Sequence, residues 1–280
     1  VASRILSTIV LWTVLLASLW FFGAHAAVAL VTILSALTLH EFYLLVEKMG
    51  HRPFRWMGVA SSVLITAGPY YLAWFTEATE VVDNLAPGLL VLVLIVCCAR
   101  VLKERDTGNR METIAATVAG VLYVPFMLQF LVRILMRESD SGDNLALCLW
   151  VVAVSKFCDV GALLTGLALG RHKMAPVISP KKTWEGAVGG VLVSSGVGAG
   201  LAFLLSARLP ESLTPWLAAA IAAPLAVVTI VSDLMESALK RRADLKDTGR
   251  LIPGIGGAFD LTDSLILTAP VAYFIFMFVE

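Results

Sequence analysis

The sequence predicts an all-α, polytopic integral membrane protein with about nine transmembrane helices. Three observations predict it. The 280 residues are 59% hydrophobic and only 15% charged, against roughly 25% charged in ordinary soluble domains. Mean hydropathy is +0.86. Apolar runs of about 18–25 residues, long enough to cross about 30 Å of hydrocarbon as helices, recur along the whole chain.

The expected spans are 5–22, 26–47, 57–76, 86–102, 113–135, 146–169, 187–206, 214–232 and 264–279. The first, with Arg4 before it and Ala24-His25-Ala26 after it, resembles a secretory leader. Its apolar run is longer than a leader needs and further spans follow, so it reads as a retained first helix. The helices divide into an amino-terminal set, 1–140, and a second set, 141–280, that carries the polar loops.

Charge distribution supports the count. Formal net charge is zero, so it favours no partner by itself, and no nucleic-acid partner is expected. The lysines and arginines nevertheless fall on alternate loops. One side collects Arg4; Lys48, Arg52 and Arg55; Arg100, Lys103, Arg105 and Arg110; Arg171, Lys173, Lys181 and Lys182; and Lys240, Arg241, Arg242, Lys246 and Arg250. The other holds Arg133, Arg137 and Arg208 beside acidic stretches, and Lys156 lies inside a span. The excess of positive charge on cytoplasmic loops then places the amino terminus, and the loops after spans two, four, six and eight, in the cytoplasm. Cys97, Cys98, Cys148 and Cys158 all fall in spans without zinc-site spacing, and read as packing residues.

Two of these cytoplasmic loops carry dense polar mixtures. Loop six, Gly170 to Gly186, places a turn-forming Ser179-Pro180 before Lys181 and Lys182 and leads into a glycine-rich helix. Ammonium groups and the free N–H groups of a helix start suit phosphate oxygens; the alternative is a basic loop resting on anionic headgroups. In helix seven, Gly186 and Gly190, then Gly196 and Gly200, have the spacing of close helix packing, which also allows a homodimer.

Carboxylates concentrate at the same surface. Asp233, Glu236 and Lys240 share a helix face as span eight ends, and Asp260 and Asp263 repeat the three-residue spacing before span nine. Such pairs suit hard cations, and magnesium sites typically combine a few carboxylates with phosphate oxygens and water. Asp159 stands three residues after Lys156 within span six; the two either neutralise each other or Asp159 joins the ligands. Lys246, Asp247, Arg250 and the Pro253–Gly257 turn add bases and clearance. Acids for metal and bases for phosphate point to phosphoryl or nucleotidyl transfer. Glu41, beside His40 in span two, is a membrane-depth carboxylate outside this set, placed to cap a polar cavity or pair with Lys48.

"SPKKTWEG" followed by "SDLMESALKRRADLKDTGRLIPGIGGAFDLTD" resembles the phosphatidate cytidylyltransferase family, the CDP-diacylglycerol synthases. Ser237, Lys240, Arg241, Lys246, Asp247, Pro253, Gly256, Gly257, Asp260 and Asp263 fit its signature, and the detailed match covers roughly 150–270. The resemblance implies that CTP and phosphatidic acid become CDP-diacylglycerol and pyrophosphate at a two-metal, magnesium-dependent site.

On that implication Asp233, Asp260 and Asp263, with Asp159, are the metal ligands, and Asp233, Asp260, Asp263 and Lys240 the catalytic set. Ser179, Lys181, Lys182, Lys246, Asp247, Gly256 and Gly257 hold the nucleotide, and Lys240 and Arg241 the lipid phosphate, on the cytoplasmic face of the bilayer, in an inner membrane if the source is bacterial. Two positions depart from the signature: Ile255 stands where the family has His, and Leu261 where it has Arg. Compensation by His172, Arg242 or Arg250, action on another lipid, and a non-catalytic role are the readings these departures leave open. A transporter using Lys156 and Asp159 is a further alternative.

Overall fold

In the computed structural model, residues 2–76, 78–103, 110–137, 143–245, 248–249 and 256–279 are described, with side chains at Thr13 and from Ala17 onward. The helices are α1 (Ala2–Lys48), α2 (Arg55–Leu72), α3 (Thr79–Lys103), α4 (Arg110–Tyr123), α5 (Pro125–Leu135), α6 (Asn144–Leu169), α7 (Trp184–Leu204), α8 (Pro215–Arg242), α9 (Ala258–Ile266) and α10 (Thr268–Val279). Between α6 and α7 lies an addition to the all-α expectation, an antiparallel hairpin of β1 (Lys173–Ala175) and β2 (Ser179–Thr183). Pro180 is accommodated in it because a two-stranded ribbon has only edges.

Each expected apolar run coincides with helix, but the runs merge differently. The first two lie on α1, bent at Gly23, whose φ of 53° and ψ of −129° suit glycine. Run 113–135 is divided between α4 and α5, where Pro125 cannot donate a helical N–H. Among the described residues, seven helices are long and apolar enough to cross a membrane. The 18-residue α2 is not one of them: Arg55, Ser61, Ser62, Pro69 and two tyrosines dilute its hydropathy. The 5–22 run lies mostly ahead of the described side chains.

The chain forms two compact units, Val1–Val132 with Arg242–Thr262, and Arg133–Arg241 with Asp263–Glu280. In the first, α1, α2, α3 and α4 pack together. Tyr43 is the pin: it is fully buried, its hydroxyl donates to the Thr117 carbonyl at 2.7 Å, and its ring occupies the space a Cβ would need at Gly58 or Gly120. Ser35 and Ser62 join α1 to α2 at 2.9 Å. Thr38 and Thr262 join α1 to the first turns of α9 at 2.8 Å.

In the second unit, α6 lies along α7. Gly186, Gly189 and Gly190 permit this, since a Cβ on any of them would come within 3 Å of α6 atoms. Gly198 gives its carbonyl to the Trp150 indole at 2.9 Å. Of the predicted packing glycines, Gly196 and Gly200 would each accommodate a Cβ with no described atom within 4 Å of it. Cys148 and Cys158 are buried here, Cys97 is buried in the first unit, and Cys98 is exposed; all four are free thiols.

Candidate active site

The second unit gathers three carboxylates. Asp233 and Glu236 stand one turn apart on α8, and Asp263 comes from α9; one oxygen from each lies within 4.8 Å of the others. Removing such charges from water costs several kcal/mol per ion without compensation. Each acid has its own lysine: Lys182 of β2 is 2.5 Å from Asp233, Lys240 is 2.7 Å from Glu236, and Lys156 of α6 is 3.7 Å from Asp263. Glu236 is almost wholly buried, at 1% exposure.

Lys156 does more than neutralise Asp159. It lies 3.9 Å from Asp159, 3.7 Å from Asp263, and donates to the Ser264 hydroxyl at 2.6 Å. The Ser264 N–H donates to Asp263 Oδ1 at 2.6 Å, and the Ser232 hydroxyl donates to the Asp263 carbonyl. Asp263 is therefore held through both its side chain and its backbone.

The hairpin and helices α6, α7 and α8 line an open cavity of about 540 Å³. Asp159, Lys173, Lys181, Lys182 and Asp233 give it polar walls, and Leu163, Leu167 and Ile230 apolar ones. Thr183 caps α7 by accepting from the Gly186 N–H at 3.1 Å, and Gly166 and Gly186 leave room for the Thr183 hydroxyl. Glu185 accepts from the Arg171 and His172 N–H groups and lies 2.5 Å from His172 Nδ1, so His172 serves the hairpin base. The Arg241 Nε donates to the Ile178 carbonyl at 3.2 Å, tying the end of α8 to the hairpin turn. Ser179 begins β2 and pairs with Ala175.

In the first unit, Gly256 has a φ of 119°, and a Cβ there would meet the Asp260 carboxylate at 2.6 Å. Asp260 accepts from the Gly257 N–H at 2.8 Å and from the Thr248 hydroxyl at 3.1 Å, capping its own helix. Glu41 of α1 reaches the same turn. Its Oε1 accepts from the Ala258 N–H at 3.0 Å, its Oε2 from the Phe259 N–H at 2.9 Å, and Thr248 donates to it at 3.1 Å. Thus Asp233 and Asp263 are brought together with Glu236, Asp159 is linked to Asp263 by Lys156, and Asp260 bonds the turn that precedes it. Lys246, Asp247, Arg250 and Ile255 lie outside the described residues; Leu261 is half-buried on α9.

Sequence reasoning places Glu236 only beside the core set, although its spacing from Asp233 is visible. It reads Lys156 as a partner of Asp159, and the reach of that lysine to Asp263 and Ser264 crosses 108 residues of chain. The partners of Glu41 are equally distant in sequence.

The carboxylate cluster suits a hard divalent cation. Its donors are all oxygens, they converge, and their excess charge is balanced by lysines that a cation could relieve.

Several known proteins resemble this chain. A phosphatidate cytidylyltransferase of Mycobacterium bovis is 34% identical over 168 residues, 60% of this chain and 52% of that protein. One from Rickettsia bellii is 33% identical over 194 residues, 68% of this chain and 81% of that protein. A third, from Brucella suis, is 35% identical over 155 residues, 55% of this chain and 54% of that protein. The chain thus spans about half the length of the mycobacterial and Brucella relatives it matches. The profile of the cytidylyltransferase family matches residues 2–279. With that match extending across nearly every helix, the chain belongs to the cytidylyltransferase family.

Proposed function

We propose that this chain transfers a cytidylyl group from CTP to phosphatidic acid, releasing pyrophosphate and leaving CDP-diacylglycerol. The observation that carries the reading is the carboxylate cluster with its three lysines, set beside a cavity with basic and apolar walls. A phosphatidate oxygen attacks the α-phosphorus of CTP. The new P–O bond forms as the bond from that phosphorus to the bridging oxygen breaks, and the electron pair leaves on pyrophosphate.

Asp233, Glu236 and Asp263, joined by Asp159, would hold Mg²⁺ in a two-ion site; Asp260 is kept in the set by its place in the signature. Such cations would supply charge that offsets repulsion between two polyanions and stabilises the leaving group. Lys181 and Lys182 hold triphosphate oxygens, and the nucleotide draws Lys182 away from Asp233. Ser179 shapes the turn that presents them. Lys246, Asp247, Gly256 and Gly257 complete nucleotide binding, and Lys240 and Arg241 receive the lipid phosphate. Leu163 and Leu167, exposed beside the cavity, suit acyl chains at the bilayer edge. The excess of lysine and arginine on the adjoining loops supports a site on the cytoplasmic side, where CTP is available.

The test is incubation of the purified chain with radiolabelled CTP, phosphatidic acid and Mg²⁺, following lipid-linked label and pyrophosphate together. Equal amounts of CDP-diacylglycerol and pyrophosphate are expected. Label on a different lipid acceptor would replace the proposed substrate, and CTP binding without any transfer would point to a non-catalytic member.

A further inference from the structure

We infer that Glu41 is a positioning residue: its carboxylate clamps the turn that opens α9 and thereby orients Asp260, a role that rests on the cytidylyltransferase reading of this site. A buried carboxylate on an apolar helix is costly and calls for a partner. Among the described residues its hydrogen-bond partners are all uncharged: the N–H groups of Ala258 and Phe259 and the hydroxyl of Thr248. The first N–H groups of a helix have no partner within that helix and carry its positive dipole end. Glu41 provides the anion that this end attracts, from a different helix and with both of its oxygens.

The neighbouring sequence is shaped around that carboxylate. A Cβ at Gly249 would overlap one Glu41 oxygen, and a Cβ at Gly257 would overlap the other. Thr248 is 3.1 Å from both Glu41 Oε2 and Asp260 Oδ2, and its single proton serves one of them at a time. Glu41 and Asp260 therefore stand on either side of one hydroxyl. Asp260 follows Phe259 directly, so it belongs to the clamped turn. Thr38, one turn before Glu41 on α1, and Phe42, the residue after it, add a hydroxyl bond to Thr262 and a ring contact with Phe259.

The experiment compares wild type with Glu41→Gln, Gly249→Ala and the double variant Gly249→Ala with Glu41→Asp. An amide offers one acceptor where the carboxylate offers two, and puts N–H₂ against a backbone donor. For Glu41→Gln, amide hydrogen exchange across 256–262 is expected to quicken. Directly measured Mn²⁺ affinity is expected to weaken about tenfold and kcat to fall about 10- to 100-fold, the range typical of residues that orient metal ligands. KM for CTP stays within about twofold, as for an interaction that does not bind nucleotide. Gly249→Ala should lower Tm, and the shorter carboxylate introduced by Glu41→Asp should restore part of it.

Unchanged exchange in Glu41→Gln, or no recovery in the double variant, would overturn the clamp. Faster exchange with unchanged Mn²⁺ affinity and kcat would leave a fold contact and overturn the positioning role. If the wild type transferred no cytidylyl group, the proposed function would fall, while the exchange and Mn²⁺ measurements would still decide for or against Glu41.

Discussion

The two units keep carboxylates among apolar helices by different means. In the first, Glu41 is held by two backbone N–H groups and a hydroxyl. In the second, Asp233, Glu236 and Asp263 are each held by a lysine. Backbone donors belong to the helix and cannot leave without unwinding it, whereas an ammonium on a flexible stem can move to a phosphate. The contrast separates a carboxylate built into the scaffold from carboxylates poised for exchange.

That distinction can be broken by substitution. The largest effect is expected from Asp263→Asn, which removes a charged oxygen from the cluster while keeping its shape. CDP-diacylglycerol formation should drop at least about a hundredfold, beyond the usual loss for an outer-shell partner, with an unchanged gel-filtration profile. Near-normal turnover would remove Asp263 from the cation site.

Gly257→Ala addresses the backbone-held carboxylate. Its Cβ would overlap the Glu41 carboxylate and meet the Thr248 hydroxyl at 2.5 Å, so a loss of about 1–3 kcal/mol, typical of overpacking, is expected in thermal unfolding. A variant as stable as wild type would show that this turn has room to move.

Lys182→Ala should weaken CTP binding about tenfold, consistent with loss of one charge-assisted hydrogen bond, as read by isothermal titration. Unchanged affinity would return the loop to headgroup anchoring. The smallest effect is expected from Ser264→Ala, which removes one of the contacts that steer Lys156. Turnover should fall no more than about fivefold, equivalent to about 1 kcal/mol, since Lys156 keeps its two carboxylate partners Asp159 and Asp263 when the hydroxyl is removed. A larger loss would make the hydroxyl a principal support of the lysine.

The sequence is most legible where function depends on local spacing. Asp233 and Glu236, three residues apart, can be placed on one face of α8, and the lysines of β2 can be placed beside a turn. The hairpin itself is hidden, because Ser179-Pro180 signals a turn as readily as the start of an edge strand. Helix boundaries blur where chemistry is continuous: nothing in composition separates α1 into one kinked helix or two. The partners of Glu41 and Lys156 lie beyond local pattern altogether, since they are fixed by packing across 217 and 108 residues. The glycines are visible as a class, but only tertiary contact distinguishes Gly190, pressed against α6, from Gly196, where a Cβ would have room.

The distance between Glu41 and its donors also bears on how the protein is made. Ala258 emerges 217 residues after Glu41, which at about 5–20 residues per second is a delay on the order of ten to forty seconds. During biogenesis a charged helix must wait, before its final neighbours exist, for the carboxyl-terminal part of the chain to be synthesised. Completion of the first bundle is thereby coupled to translation of the loop before α9, and a ribosome that stops before it leaves an acid in the nascent bundle without the turn built to receive it.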